Sequence, residues 1–395
     1  NINLVARENL TGLRVVRAYN AEDYQEAKFT KANKDLTETQ LFTNRVMAFM
    51  MPLMNTVLNG LMLAVYWIGA YLIDAAGLKD KLTVFSNMVV FSNYSVQVIM
   101  SFLLMSMVFV LWPRADVSAQ RIMEVLDTEP IVENGTKTAA DVAKTGQRGT
   151  VEFRNVSFTY PDSREAMLEG INFTAEQGQT VAFIGSTGSG KSSLINLVPR
   201  FYDTSQGQVL VDGVDVRDYD LKALRDKIGY VPQQSFLFKG TIASNVAYGD
   251  TDRDDDTVRR ACDVAQATEF IDKKQKKYDS GISQGGSNVS GGQKQRLSIA
   301  RAVYRHPEIL IFDDSFSALD FKTDRAVRDA LEKEAKDSTK LIVAQRIGTI
   351  MNADRIIVLD DGKVVGQGTH EELLDTCEVY RQIAESQLSE DELKR

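Results

Sequence analysis

Two long stretches without charge dominate the pattern of hydrophobic and polar residues along this chain. Val46–Ile73 contains 28 consecutive uncharged residues, and Leu82–Pro113 contains 32. Because a helix rises about 1.5 Å per residue, either stretch is longer than the hydrocarbon core of a bilayer, which is about 30 Å thick. The segment between them, Asp74–Lys81, is short. The pattern predicts a hairpin of two membrane-spanning helices, and the alternative is a long buried hairpin of a soluble protein.

The basic residues around the two predicted spans indicate an orientation. Residues 1–45, a charged segment expected to be helical, contain seven Lys or Arg residues, and Arg114 and Arg121 follow the second span. The hairpin loop has only Lys79 and Lys81. Because Lys and Arg are enriched on the cytoplasmic side of membranes, both ends of the hairpin are predicted to be cytoplasmic.

Polar side chains within the second span share one helical face. At 100° per residue these are Ser86, Asn93, Gln97 and Ser101. Such a face is typical of hydrogen bonding between membrane helices, or of a water-filled substrate pathway. Both interpretations stay open at this point.

The pattern changes after the second span. Residues 126–148 lose apolar periodicity, which is typical of a linker. The segment that begins at Val151 alternates like a strand, and Asp212-Gly213 is a hairpin signal between two further strands. Later segments alternate between strand and helix. This arrangement predicts an α/β core with an antiparallel subdomain.

Length and charge restrict the class of protein. The chain has 395 residues, enough for about two or three domains. Its net charge of −8 argues against a general nucleic-acid binder, which would show a basic face. Cys262 and Cys377 lie far apart and form no metal or redox motif. Because the chain begins at Asn1 rather than at methionine, it is expected to be the C-terminal part of a longer protein.

A glycine-rich segment follows the short apolar strand Thr180–Ile184 and precedes an apolar helix. It consists of Gly185, Ser186, Thr187, Gly188, Ser189, Gly190, Lys191 and Ser192, with Ser193 next. Glycines allow backbone amides to turn toward phosphate oxygens. Lys191 has the reach for the β and γ phosphates, and the Ser192 hydroxyl suits Mg²⁺. The strand–loop–helix context therefore predicts a phosphate-binding loop.

Two further motifs carry candidate chemistry. Asp313 and Asp314 come at the end of the buried strand predicted at residues 309–312, where carboxylates usually meet a metal, a phosphate or a proton. A second phosphate-type helix start consists of Ser290, Gly291, Gly292 and Gln293. A domain that holds one nucleotide requires one such helix start. The second is therefore expected to complete a site on another subunit.

In this order, the motifs resemble those of ABC exporter half-transporters. The set includes the phosphate loop, the glutamine of VPQQ, the signature Ser290–Gln293, the strand ILIFDD, SALD, and a switch residue in VAQR. The chain is similar to the C-terminal two-thirds of such a protein, with the first four membrane helices expected to be missing. The resemblance covers essentially residues 1–385.

The resemblance implies a multidomain fold, with an α-helical transmembrane segment and an α/β P-loop ABC ATPase domain. The ATPase domain would have an antiparallel β subdomain and a helical subdomain. The implied domains are a partial transmembrane domain (1–125, spans at about 46–73 and 82–113), a linker (126–148), a nucleotide-binding domain (149–388) and a polar tail (389–395).

Residue roles also follow from the resemblance. Tyr160 resembles the aromatic residue that stacks on adenine, with a core tyrosine as the alternative. Gln233, preferred over Gln234, resembles the glutamine that contacts Mg²⁺ and the attacking water. Asp313 resembles the metal-binding carboxylate, and Asp320 the residue that crosses to the other subunit. The implied cofactors are ATP and Mg²⁺, with Ser192, Gln233 and Asp313 as the metal set and Ser290 and Gly292 on the partner's γ-phosphate.

Three positions depart from the family pattern. Asp314 stands where the family usually has glutamate, Gln345 where it usually has histidine, and Gln284 where glutamate is common. Aspartate reaches about 1.5 Å less than glutamate, and a 1 Å misplacement of a base can slow a reaction on the order of 10²-fold. Gln345 can donate a hydrogen bond but carries no positive charge. The predicted catalytic set, Asp314, Gln345 and Gln233, is therefore expected to hydrolyse ATP slowly.

The resemblance implies the ATP-binding and permease subunit of an exporter in the cell membrane, with a cytoplasmic nucleotide domain. Its expected partners are a second half-transporter with an intact catalytic glutamate, the lipid bilayer and an exported small molecule, drug or lipid-like, and not nucleic acid. The alternative within the family is a homodimeric exporter in which Asp314 is the active base. Outside it, the alternatives are a soluble ABC-type ATPase acting on DNA or ribosomes and a regulatory module without turnover.

Overall fold

The computed structural model describes residues 2–388 and divides into two compact units between Glu129 and Pro130. The predicted polar tail, residues 389–395, lies outside the described residues. Each unit is described by itself. The first contains the two helices that are long and apolar enough to cross a membrane, and the second contains the sheets and the candidate site.

The first unit is helical. Its elements are α1 (Ile2–Thr11), α2 (Leu13–Ala18), α3 (Glu22–Ala75) and α4 (Lys81–Leu126). Both α3 and α4 are long and apolar enough to cross a membrane, and only 6% of the most apolar window of each is buried. Two apolar helices were predicted, and this is confirmed. They are longer than the uncharged runs, because the helical backbone continues into charged sequence at the start of α3 and the end of α4.

A glycine lies where α3 and α4 are in contact. A Cβ atom at Gly69 would lie 2.2 Å from Sδ of Met88. Small residues of this kind allow membrane helices to pack with little space between their backbones. Nearby, the Ser92 hydroxyl lies 3.3 Å from Sδ of Met62. On the polar face of α4, Ser101 donates to the backbone carbonyl of Gln97 at 2.9 Å, within its own helix.

The second unit combines two main sheets with helices. Its strands are β1 (Val151–Phe158), β2 (Leu168–Ala175), β3 (Thr180–Gly185), β4 (Gln206–Val211), β5 (Val214–Asp215), β6 (Ile228–Val231), β7 (Gly240–Thr241), β8 (Gly281–Ile282), β9 (Ile309–Asp313), β10 (Thr339–Val343), β11 (Arg355–Asp360) and β12 (Lys363–Gly368). Its helices are α5 (Ala139–Val142), α6 (Lys191–Asn196), α7 (Leu221–Asp226), α8 (Ile242–Val246), α9 (Asp255–Val264), α10 (Thr268–Asp272), α11 (Gly291–Tyr304), α12 (Phe321–Glu334), α13 (Ile347–Ile350), α14 (His370–Thr376) and α15 (Glu378–Gln387).

The larger sheet positions the candidate site. Its strand order is β12-β11-β3-β10-β9-β6, and all neighbours are parallel except β11 and β12. The carboxyl ends of β3, β10 and β9 therefore meet at one edge. That edge brings together the phosphate loop after β3, the carboxylates at the end of β9 and the loop after β10. The last of these, residues 344–346, contains Gln345 and is called the switch loop. Such a meeting is expected for open α/β sheets.

The second sheet is antiparallel, in the order β2-β1-β4-β5. The predicted hairpin is present, because Val211 pairs with Val214 across the turn at Asp212-Gly213. Helices α8 to α11 form a further, helical part. Its buried residues, among them Val246, Cys262 and Ile299, belong to the same hydrophobic cluster as one face of the larger sheet. The predicted fold class, with an antiparallel and a helical subdomain, is confirmed.

Part of the predicted linker is folded against the second unit. Asn134 bridges the start of α7, donating to Asp220 at 2.9 Å and accepting from the Leu221 amide at 2.7 Å. Lys137 pairs with Tyr219, and Val142 is fully buried. The structure thus differs from an unpacked linker over these residues. One buried valine, the side chain of Asn134 and backbone hydrogen bonds to residues 218–220 anchor them, and none of these produces a periodic sequence pattern.

Candidate functional site

The loop after β3 has a backbone that only glycine accommodates at critical points. A Cβ atom at Gly185 would lie 1.9 Å from the backbone oxygen of Leu359. Gly188 and Gly190 have φ angles of +88° and +93°, in the region that side chains disfavour. At Gly190 a Cβ atom would also lie 2.7 Å from Cδ2 of Leu168. The glycines therefore let the loop turn tightly into α6.

Lys191, the first residue of α6, places its ammonium group inside this loop. Its Nζ donates to the backbone oxygens of Gly185 at 3.0 Å and Ser186 at 2.7 Å. Burial lowers the pKa of Lys191, and the carboxylates of Asp314 and Asp313 act in the opposite direction. The loop thus holds a cation whose partners are carbonyls and nearby carboxylates.

Ser192 and Asp313 place two side-chain oxygens next to each other. The Ser192 hydroxyl donates to Oδ1 of Asp313 at 2.8 Å. Burial raises the pKa of Asp313, whereas the hydrogen bond from Ser192 lowers it. Oxygen donors of this kind suit Mg²⁺, which usually takes one or two protein ligands and completes its shell with phosphates and water. In the described residues no group of three or more His, Cys, Asp or Glu side chains is placed to hold a metal ion.

Asp314 is hydrogen-bonded to Gln345, and Gln233 lines the same cavity. The Asp314 carboxylate accepts a hydrogen bond from Nε2 of Gln345 at 2.9 Å, on Oδ2. Burial raises the pKa of Asp314, and a hydrogen bond from Gln233 lowers it. The two positions that depart from the family pattern, 314 and 345, are therefore in direct contact.

These residues surround one cavity of about 250 Å³. Its lining consists of Met167, Thr187, Gly188, Gly190, Lys191, Ser192, Ser193, Gln233, Asp313, Asp314, Val343 and Gln345. The geometry favours Gln233 over Gln234, which is not among the lining residues. Gly185, Ser186 and Ser189 belong to the loop without lining the cavity. The site thus gathers a cation, two carboxylates, three hydroxyls and two carboxamides around a space of phosphate-binding character.

Tyr160 lies beside the cavity. Its hydroxyl is 2.8 Å from Oγ of Ser193, which does line it. Its ring makes edge contacts with Phe158 and Tyr202, at centroid distances of 4.7 and 5.2 Å. The ring is half-buried. These contacts are those of an aromatic residue fixed at the edge of the site, and a stacking role remains a prediction.

The signature residues lie away from the cavity, at the start of α11. Ser290 caps this helix, accepting from the Gln293 amide at 3.3 Å, while Oε1 of Gln293 accepts from the Ser290 amide at 3.2 Å. The cap uses a lone pair of the Ser290 oxygen. Its O–H proton therefore stays free to donate to an anion outside the helix.

Sequence reasoning missed three residues of this region. Met167 and Val343 line the cavity but belong to the segments before β2 and at the end of β10. Val343 directly precedes the switch loop in the sequence, and this neighbourhood could have indicated that it lies at the site. Gln387 contacts the switch loop from α15. No local sequence signal indicates a contact over that separation.

Comparison with known proteins agrees with this geometry. Residues 168–317 match the ABC transporter domain, and residues 1–110 match the ABC transporter transmembrane region. An uncharacterized ABC transporter ATP-binding protein of Mycobacterium bovis is 42% identical over 391 residues, covering 98% of this chain and 65% of the relative. An ATP-dependent lipid A-core flippase of Aromatoleum aromaticum is 37% identical over 392 residues, covering 99% of this chain and 63% of the relative.

A solved structure is also similar. A bacterial Atm1-family ABC exporter with ATP bound superposes with a TM-score of 0.85 at 29% identity, covering 98% of this chain and 66% of the other. The chain spans about two thirds of the length of the curated relatives, 65% and 63%. In its two matched regions and its fold, the chain is therefore similar to ABC transporters, in which a transmembrane region is followed by an ABC ATPase domain.

Proposed function

We propose that this chain is the ATP-binding and permease subunit of an exporter that couples ATP binding and hydrolysis to transport across the cell membrane. The cavity after β3 and the two apolar helices support this role. So do relatives named as a lipid A-core flippase and as an ABC exporter with ATP bound. The exported substrate is proposed to be drug-like or lipid-like, and the nucleotide domain to face the cytoplasm.

The side chains of the site have distinct chemical tasks in this proposal. Lys191 and the loop amides bind the β and γ phosphates and offset their charge. Ser192, Asp313 and Gln233 would hold Mg²⁺, which when bound withdraws charge from the phosphate oxygens. Asp314 accepts a proton from the water that attacks the γ phosphorus, while the bond from that phosphorus to the ADP oxygen breaks. Tyr160 supports the adenine ring.

We further propose that this site hydrolyses ATP slowly. The hydrogen bond from Gln345 to Asp314 carries this proposal, because it commits the carboxamide to the base instead of to the γ-phosphate. A base must come within about 2.6–3.2 Å of the proton it removes, directly or through one water. The short side chain of Asp314 and its hydrogen bond with Gln345 both reduce its ability to do so.

A slow site fits a heterodimer with a second half-transporter. The partner would contribute its own phosphate loop and glutamate, and this chain would contribute Ser290 to Gln293 to the partner's ATP. A homodimeric exporter is the second candidate. The observation that favours it is the burial of Asp314, which raises the pKa of this carboxylate and makes it a stronger base.

Measuring the ATPase activity of the full-length protein, purified without a partner, tests these alternatives. The slow-site proposal expects weak turnover of the chain alone, and turnover that rises when a compatible half-transporter is co-purified. Fast turnover of the chain alone that disappears in Asp314→Asn would establish the homodimer instead. Lys191→Ala serves as the control for activity from contaminants, since it removes the phosphate-binding cation.

A further inference from the structure

One side chain from α15 makes hydrogen bonds to the backbone on both sides of Arg346, in the switch loop. Gln387 accepts a hydrogen bond from the Ile347 amide through Oε1 at 2.9 Å. The same carboxamide donates from Nε2 to the backbone oxygen of Gln345 at 2.8 Å. One residue of a neighbouring parallel strand makes the same two bonds, since its C=O accepts from one residue and its N–H donates to the residue two positions earlier.

The helix that carries Gln387 is itself fixed to the domain. In α15, Tyr380 and Ala384 are fully buried, and the Tyr380 hydroxyl lies 2.6 Å from Nδ1 of His370. Gln387 is the last residue of this helix and is exposed. A side chain that projects from a rigid support can hold a loop at lower entropic cost than a side chain on another loop.

The held backbone belongs to a residue of the proposed ATP site. The Gln345 carbonyl accepts from Gln387, while its side chain donates to Asp314 at 2.9 Å and lines the cavity. Gln345 follows β10, and α13 begins two residues later at Ile347. Displacement of the backbone at residues 345–347 therefore moves the carboxamide relative to Asp314.

We propose that Gln387 is a positioning residue that holds the switch loop so that Gln345 stays hydrogen-bonded to Asp314. This inference rests on the proposed function of the site. Both halves of the carboxamide are needed, because one accepts and the other donates. Glutamate at this position keeps an acceptor for the Ile347 amide and loses the donor to the Gln345 carbonyl. The C-terminal helix thereby contributes to the ATP site without lining its cavity.

Binding of the fluorescent analogue Mg·TNP-ATP to the full-length purified protein tests the proposal. Gln387→Ala is expected to weaken affinity about three- to tenfold, because Gln345 then lines the cavity in no fixed position and nucleotide binding must order it again. Gln387→Glu is expected to fall between Gln387→Ala and the unchanged protein. Gln382→Ala is the matched control on the same helix, since the side chain of Gln382 contacts only Glu378 in the described hydrogen bonds.

A double-mutant cycle separates positioning from a merely structural effect. In a Gln345→Ala background, Gln387→Ala is expected to cause no further loss of affinity. Equal losses in both backgrounds, or an unchanged affinity in Gln387→Ala alone, would overturn the inference and leave the proposed function intact. Absence of Mg·TNP-ATP binding by the unchanged protein would overturn the proposed function, and this inference with it.

Discussion

Asp314 adopts a left-handed backbone conformation, which bears on the choice of a variant that tests its carboxylate. Its φ angle is +45°, and its amide donates to the backbone oxygen of Val343 at 3.0 Å. Aspartate and asparagine enter this region more readily than longer side chains. Asp314→Asn therefore removes the charge while it preserves the conformational preference, which makes it the cleanest test of the carboxylate.

Two substitutions at the site are expected to speed ATP hydrolysis. Asp314→Glu combined with Gln345→His is expected to raise hydrolysis at this chain's site about 10- to 100-fold, because the base gains about 1.5 Å of reach. The new histidine can donate to the γ-phosphate and carry charge. Single-turnover hydrolysis of Mg·ATP measures the change.

Gln345→Asn is the control for that experiment, since it alters the switch position without supplying an imidazole. A double variant no faster than the unchanged protein would contradict the account in which side-chain reach limits the site. A decrease would indicate that Asp314 already acts as an efficient base.

At the scale of elements, signals that are local in sequence were predictable. The two long helices follow from their uncharged runs, and the turn at Asp212-Gly213 follows from its residue types. Contacts between distant residues were not. Gln345 and Asp314 are 31 positions apart and meet because β10 and β9 are neighbours, which periodicity does not reveal. The fold of residues 134–145 depends on the burial of Val142, the one apolar residue of this segment that is larger than alanine.

The packing of α14 against α15 predicts a pH dependence of stability. Burial lowers the pKa of His370 from its ordinary value of 6.5. Below that value the unfolded chain takes up a proton that the folded domain does not. The free energy of unfolding is therefore expected to fall as the pH drops from about 6.5 to the lowered pKa, and to be unaffected by this group at higher pH.

Thermal unfolding of the unchanged protein and of His370→Gln from pH 7.5 to 5.5 measures this effect. The unchanged protein is expected to lose melting temperature more steeply than the variant, so the two curves converge toward pH 5.5. Parallel curves would show that His370 does not contribute. Exposed His306 provides the matched control, and His306→Gln is expected to leave the slope unchanged.

At the scale of the whole molecule, the two phosphate-type motifs lie at different places. The loop of Lys191 lines this chain's cavity, whereas Ser290 caps α11 and keeps its hydroxyl proton available. In the proposed heterodimer, one chain therefore serves two ATP sites unequally. Damage to the signature should affect the fast site, and damage to the loop should affect the slow one.

Two variants of the complex with its partner measure this asymmetry. Ser290→Arg is expected to abolish most steady-state ATP hydrolysis, because a bulky cation replaces the free hydroxyl at the partner's γ-phosphate. Lys191→Met is expected to reduce bound nucleotide by about half while a larger share of hydrolysis persists. Both are assayed for turnover and for nucleotide retained after rapid desalting. Equal loss of turnover in the two variants would favour equivalent sites and a homodimer.

The contact between Asp314 and Gln345 also bears on how sequences of this kind diverge. Two side chains that share a hydrogen bond of 2.9 Å are not free to change independently. A glutamate at position 314 would move its carboxylate by about one C–C bond and displace the amide that now meets it. We therefore expect the residues at positions 314 and 345 to covary among relatives, so that a replacement at one is accompanied by a replacement at the other.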